Sequence, residues 1–212
     1  MNSVKVAIAG AFIGGVLLCS PSSQAAVSEW KLDSNHSKAG FAVKHMMISN
    51  VRGEFAKVKG TAQYDGKDIK TIKVNAVIDA GSIDTGNDDR DKHLRGADFF
   101  DTEKYPEITF VSKKAIPSGK DRFKLEGDLT MHGVTKPVTL WVDGPTEQIN
   151  DKHGNLKVGA SAETKLNRKD FGIQYGGLMD NGGAMISDAV GITLDIELSK
   201  PASEEPKKAD AK

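Results

Sequence analysis

Apolar and polar residues alternate with a period of two along most of this chain. Ile72, Val74, Ala76 and Ile78 alternate with Lys73, Asn75 and Asp79. Leu156, Val158, Ala160, Ala162 and Leu166 do the same against Lys157, Gly159, Ser161, Glu163, Lys165 and Asn167. Ile192, Leu194, Ile196 and Leu198 alternate with Thr193, Asp195, Glu197 and Ser199. Such a pattern predicts strands with one greasy and one wet face. Shorter runs repeat it at Phe41/Val43, Ile108/Phe110, Phe123 to Met131 and Val138/Leu140/Val142. Between Val51 and Tyr64 the alternation slips near Phe55, which predicts a bulge. Turn signals at Asp65-Gly66, Ser118-Gly119, His132-Gly133 and Asp151 to Asn155 separate the runs.

About eight strands with short connections predict an all-β, antiparallel barrel or sandwich. The pattern alone leaves those two open. A barrel has the advantage of hiding its strand edges. One segment reads as a helix, Asp88 to Arg95, with Asn87 as a cap at its start and Gly96 at its end. Asp91 and Arg95 are spaced to pair along it. Leu94 is its only large apolar residue, so it is expected to lie over one end of the sheet, anchored by Phe99 and Phe100.

Both chain ends depart from this pattern. Met1 to Ala26 carries one charge, Lys5, then an apolar run from Val6 to Leu18 and the small-residue site Ser23-Gln24-Ala25. That run is short of the ~20 residues a membrane span needs. It reads as a signal peptide over residues 1–25, cleaved to leave a barrel over 26–200 exported to the periplasm. A lipoprotein signal would need a small residue before Cys19, and Leu18 is large. The single cysteine departs with the leader, so the exported chain has no disulfide. Residues 201–212 are polar and charged and read as a disordered tail.

Lys plus Arg number 29 against 29 Asp plus Glu, so no basic field favours a nucleic-acid partner. The five histidines form no metal-binding pair, and no metal site is assigned. G-x-S-x-G, P-loop and dinucleotide fingerprints are absent. Asp89, Asp91, His93 and Arg95 could form an acid–base or metal site, yet helix polarity already accounts for them. The remaining option is the barrel's interior. Eight strands can enclose one small ligand or be filled by side chains. Small inward residues, Ala76, Gly127, Ala160 and Ala162, leave volume for an apolar guest. Composition keeps a filled barrel, acting as a stress-response interaction module, open beside it.

The motif Arg90-Asp91-Lys92-His93-Leu94-Arg95-Gly96-Ala97-Asp98-Phe99-Phe100-Asp101, followed by Tyr105-Pro106 and Phe110, resembles the central motif of the YceI-like family. His45-Met46-Met47, Val51 to Phe55, Gly127 to Val138 and Arg168 to Ile173 extend the resemblance from about Trp30 to Leu198. It implies an exported, lipocalin-like barrel of about eight strands with a short helix near one end. It also implies a non-covalent guest, a long-chain isoprenoid, an isoprenoid quinone or a related amphiphilic lipid. The lipocalin G-x-W signature is missing, since Ser28-Glu29 precedes Trp30. The resemblance supplies no catalytic residue, and no enzyme activity is assigned. Candidate tail contacts, chosen because they lie on apolar faces, are Phe41, Val43, Ile72, Val74, Ile78, Phe110, Leu129, Leu140, Ile192, Leu194 and Ile196. Arg90, Asp91, His93, Leu94, Arg95, Phe99 and Phe100 mark the barrel end. The Gly176–Gly183 loop departs from the family and is expected at the cavity mouth. The oligomeric state is left open, a homodimer included.

Overall fold

The computed structural model describes residues 27–202. The leader read over 1–25, and the tail from 203 onward, lie outside the described residues. The strands are β1 (Ser28–Leu32), β2 (Lys38–His45), β3 (Ser49–Phe55), β4 (Val58–Tyr64), β5 (Lys73–Asp79), β6 (Ile83–Asp84), β7 (Glu107–Pro117), β8 (Arg122–Met131), β9 (Val134–Asp143), β10 (Ile149–Asn150), β11 (Asn155–Asn167) and β12 (Ile186–Pro201). One helix, α1 (Asp88–Arg95), connects β6 to β7.

All strand pairs are antiparallel, and the circuit β11-β9-β8-β7-β5-β4-β1-β12 returns to β11. That makes a closed barrel of eight strands and removes the sandwich. The closing seam is long, running from Asn155↔Pro201 to Asn167↔Ala189. Pro201 therefore ends a strand and does not begin the tail, and the Ala202 amide bonds to the Gly154 carbonyl.

Three walls of the barrel are each made of two short strands, β1 with β2, β3 with β4 and β5 with β6. β12 pairs with β1 at Leu198 and Ser199 and with β2 from Ile186 to Asp195. β4 pairs with β1 and β3 with β2, so β3 and β4 continue one another. The slip near Phe55 is thus a break between two strands at Ala56-Lys57, sharper than a bulge. The Ala56 amide donates to the Ser82 carbonyl and the Lys57 amide to the Ser82 hydroxyl. Those bonds satisfy the backbone that leaves the ladder. A true register shift occurs in β7 between Ser112 and Lys114.

The inward side chains form two clusters stacked along the barrel. One, at the end away from α1, gathers around Trp30, whose exposure is 0%, with Phe110, Phe123, Leu125 and Val158. The other lies near α1 and contains Phe55, Ile83, Phe99, Met131, Phe171 and Ile173. β1 escaped the periodic reading because it is short and sends only Trp30 and Leu32 inward.

α1 closes the second end as expected. The Asn87 side chain accepts the Arg90 amide, and the Gly96 amide bonds to the His93 carbonyl. Gly96 is extended (φ −73°), so the cap needs no left-handed residue. The Asp91–Arg95 pair does not form. Asp91 is buried and accepts from both the amide and the hydroxyl of Thr85. Arg95 instead donates to the carbonyls of Gly81 and Ile83. The helix is thus pinned to β6 and its flanks by hydrogen bonds, compensating for its single apolar anchor. Asp91→Ala leaves the part-buried Thr85 amide and hydroxyl without their acceptor, at about 1–3 kcal/mol. A urea titration is expected to show that loss, with α1 amides exchanging first.

Candidate functional site

Two apolar chambers lie end to end inside the barrel. The lower has a volume of about 190 Å³ and the upper, beneath α1, about 150 Å³. Ala39, Ile78, Leu129, Leu166, Ile192 and Leu194 line both and form the waist between them. The lower chamber also takes Ile72, Val74, Phe110, Leu140 and Ile196, and the upper takes Phe41 and Val43. Every tail-contact candidate read from the pattern thus faces one chamber or both.

The strand parity explains the lining. Along β12 the even residues Ile192, Leu194 and Ile196 face in, while Thr193 and Asp195 are exposed. β11 opposes them with Ala160, Ala162 and Thr164, whose small side chains leave much of the lower space. Ala76 acts likewise on β5. Gly127 does not. A Cβ there would sit 2.6 Å from Phe110 Cζ, so the ring already fills the room that glycine leaves. Polar groups are few. Tyr64 lines the lower chamber, and burial pushes its phenol above the ordinary value, with the Asp65 and Asp68 charges adding to this. It stays neutral at physiological pH. The described walls offer a guest hydrocarbon and almost nothing else.

The barrel-end motif divides in two. Leu94, Phe99 and Phe100 line the upper chamber, and Phe100 meets Phe55 edge to face at 5.6 Å. The polar members hold the lid. Arg90 donates to the Thr85 hydroxyl and carbonyl at 2.7 and 2.9 Å. His93 Nε2 lies 3.1 Å from Asp98 Oδ2, and its ring packs edge-on against Phe99 and Tyr175. Asp89 is exposed on the outer face. Asp89, Asp91, His93 and Arg95 therefore point to separate partners and do not converge on one point.

Two features escaped the sequence reading. Arg168 is buried beside the upper chamber, where it binds the carbonyls of Ile173 and Ser187 at 2.9 and 3.1 Å and Asp188 at 3.3 Å. Its place in the Arg168–Ile173 match was the available signal. The second is a cluster of Asp33, His36 and Glu197 on the outer wall. The His36 ring and the Asn35 amide hold Asp33 below the usual carboxylate range. The Lys157 ammonium sits 2.6 Å from Glu197 and 3.6 Å from Asp33, so these carboxylates already have a cation. The cluster forms an ion-pair network in which Lys157 supplies the cation.

Comparison with known proteins agrees with this geometry. The family model described as YceI-like domain matches residues 30–198. Protein YceI of Escherichia coli O6:H1 is 40% identical over 152 residues, covering 71% of this chain and 78% of that protein. Burkholderia cenocepacia BcnA superposes with a TM-score of 0.66 at 24% identity, over 78% of this chain and 98% of that one. A polyisoprenoid binding domain from Saccharophagus degradans, implicated in plant cell wall breakdown, superposes at 0.58 with 18% identity, over 81% and 98% of the two chains. With a match spanning nearly all of the described barrel, the chain belongs to the YceI-like domain family.

Proposed function

We propose that this protein is a periplasmic carrier that shelters the tail of a long-chain isoprenoid, an isoprenoid quinone or a related amphiphilic lipid inside its barrel. The observation that supports this most is the pair of end-to-end chambers walled by hydrocarbon. The Saccharophagus degradans domain of the same fold is a polyisoprenoid binding domain, which points the same way. The action is sequestration or carriage, without a covalent step. Each methylene moved from water to such a wall contributes about 0.8 kcal/mol before the ordering cost.

Volume sets the terms of loading. A dry cavity of ~150 Å³ takes one benzene ring. By that measure the two chambers hold roughly two or three isoprene units as they stand. A longer tail must displace side chains at the waist or leave through an end. Affinity for prenyl alcohols of stepped length is therefore expected to rise with each added unit and then level off.

Native mass spectrometry of protein purified from its own host tests the proposal. The expected result is a co-purifying prenyl lipid, on a chain whose mass lacks residues 1–25 and so matches an exported form. A ligand-free protein that also rejects added geranylgeraniol overturns the carrier reading. A retained leader overturns the export reading.

A further inference from the structure

Among the described residues, six of the ten exposed large apolar side chains belong to two neighbouring loops: Met46, Met47 and Ile48 on one, Tyr175, Leu178 and Met185 on the other. Ile48 is 81% exposed and Leu178 75%. The first loop is the tip of the β2–β3 hairpin, and the second precedes β12. They are tied together, since the Met46 amide donates to the Met185 carbonyl at 2.7 Å and His45 pairs with Ile186. The second loop is braced by a bridge between Leu178 and Ala184. These side chains thus form one rim.

Folding does not account for the rim. Met46 and Met47 have φ of 50° and 61°, the left-handed region that hairpin turns usually give to Asn and Gly. Methionine there accepts backbone strain, and about half of its surface stays exposed, 42% for Met46 and 53% for Met47. A contiguous apolar patch on a folded surface marks an interaction site, and local strain of this kind collects where function requires it.

The rim continues the cavity wall. Val43, just before the hairpin tip, and Ile186, just after Met185, both line the upper chamber. Tyr175 packs 4.7 Å from Phe99, another lining residue. We infer that this rim docks on a lipid bilayer, so that an apolar tail passes between membrane and barrel without crossing water. The purpose of the contact rests on the carrier reading. The bilayer is favoured because what must pass is hydrocarbon, and its exposure to water becomes costlier with every methylene. Flexible methionines at loop tips suit a soft acyl surface, and a tyrosine suits its interface. The exposed charges beside the two loop tips, Lys44 and Asp180, are opposite, so neither sign dominates. Docking is therefore expected to persist at high salt.

The test is flotation of the exported protein with liposomes of phosphatidylethanolamine and phosphatidylglycerol, beside the double variant Ile48→Asp/Leu178→Asp. Both positions are exposed, so the fold is expected to survive, and a thermal melt checks it. The wild type is expected to float with the liposomes, and the variant's partition coefficient to fall at least about tenfold, with geranylgeraniol uptake equal in both. Wild-type protein that stays at the bottom overturns the inference, as does a variant that floats equally well. So does a wild-type dimer that the two aspartates split into monomers, because the rim would then be a self-interface. Loss of geranylgeraniol uptake by the wild type counts against the carrier reading, while flotation alone decides the docking.

Discussion

Leu129→Trp is expected to abolish uptake of long prenyl chains while sparing short ones. Leu129 projects from β8 into the waist, where it lines both chambers. Its neighbours across the ladder are Phe110 on β7 and Lys136 on β9. A bicyclic ring at this point blocks the passage between chambers but leaves each chamber's own walls in place. A tail of four isoprene units then loses half or more of its burial. Ten methylenes correspond to about 8 kcal/mol gross, and even a third of that is about a hundredfold in affinity. A prenol of one unit fits one chamber and is expected to bind within a few-fold of the wild type. Overpacking costs about 1–3 kcal/mol of stability, which the adjoining space reduces. Leu129→Ala works in the opposite direction. It merges the chambers, costs about 2–5 kcal/mol of stability, and moves the preferred guest to longer chains. Titration of both variants with prenols of one and four units checks the claim. Equal affinity of wild type and Leu129→Trp for the longer prenol shows that tails do not cross the waist.

The walls of this site were legible in the sequence because a barrel wall is a local property. In β8, β11 and β12 the two-residue period states directly which side chains face in. The same logic explains the misreadings. Val51, Gly53 and Phe55 are odd-numbered, whereas Val58, Gly60, Ala62 and Tyr64 are even. Parity switches at the Ala56-Lys57 break, so a period-two reading sees a slip and cannot tell a bulge from a broken strand. Gly127 looks like empty volume in a linear pattern, but only the Phe110 ring from the next strand decides whether it is empty. Asp91 and Arg95 have ideal spacing for a helical pair. Both found backbone or hydroxyl partners in β6 and its flanks, and spacing along a helix carries no information about those. The exposed rim is the least legible part. The glycines at 176 and 183 mark Leu178 as a loop residue, but nothing in the linear pattern marks the turn that lifts Met46 and Met47 into solvent.

Arg168→Met is expected to produce a large loss of stability beside the site. Arg168 lies in the short 3-10 turn Arg168–Phe171 after β11 and is 6% exposed. Its guanidinium donates to the Ile173 carbonyl at 2.9 Å, to Ser187 at 3.1 Å and to Ile186 at 3.5 Å. These acceptors stand on both sides of the 174–185 loop, so the side chain closes that loop at its base. Its charge partner, Asp188, is 44% exposed and is shared with Lys169 at 3.0 Å. Two causes could therefore underlie a loss, the ion pair or the carbonyl locks, and magnitudes separate them. An ion pair with a half-exposed carboxylate contributes about 0–1 kcal/mol. Orphaned carbonyls at buried positions cost about 1–3 kcal/mol each, so methionine at 168 is expected to lose about 3–5 kcal/mol in all. For a chain of this size that is a melting point lower by roughly 10 °C. Asp188→Asn, which removes the ion pair alone, is expected to change it by less than about 3 °C on the same scale. Arg168→Lys should fall nearer to methionine than to wild type, because one ammonium cannot span three carbonyls from that position. Thermal melts of the three variants, with hydrogen exchange over the 174–185 loop, decide the matter. If Asp188→Asn matches Arg168→Met, the ion pair holds the loop and the carbonyl account is wrong.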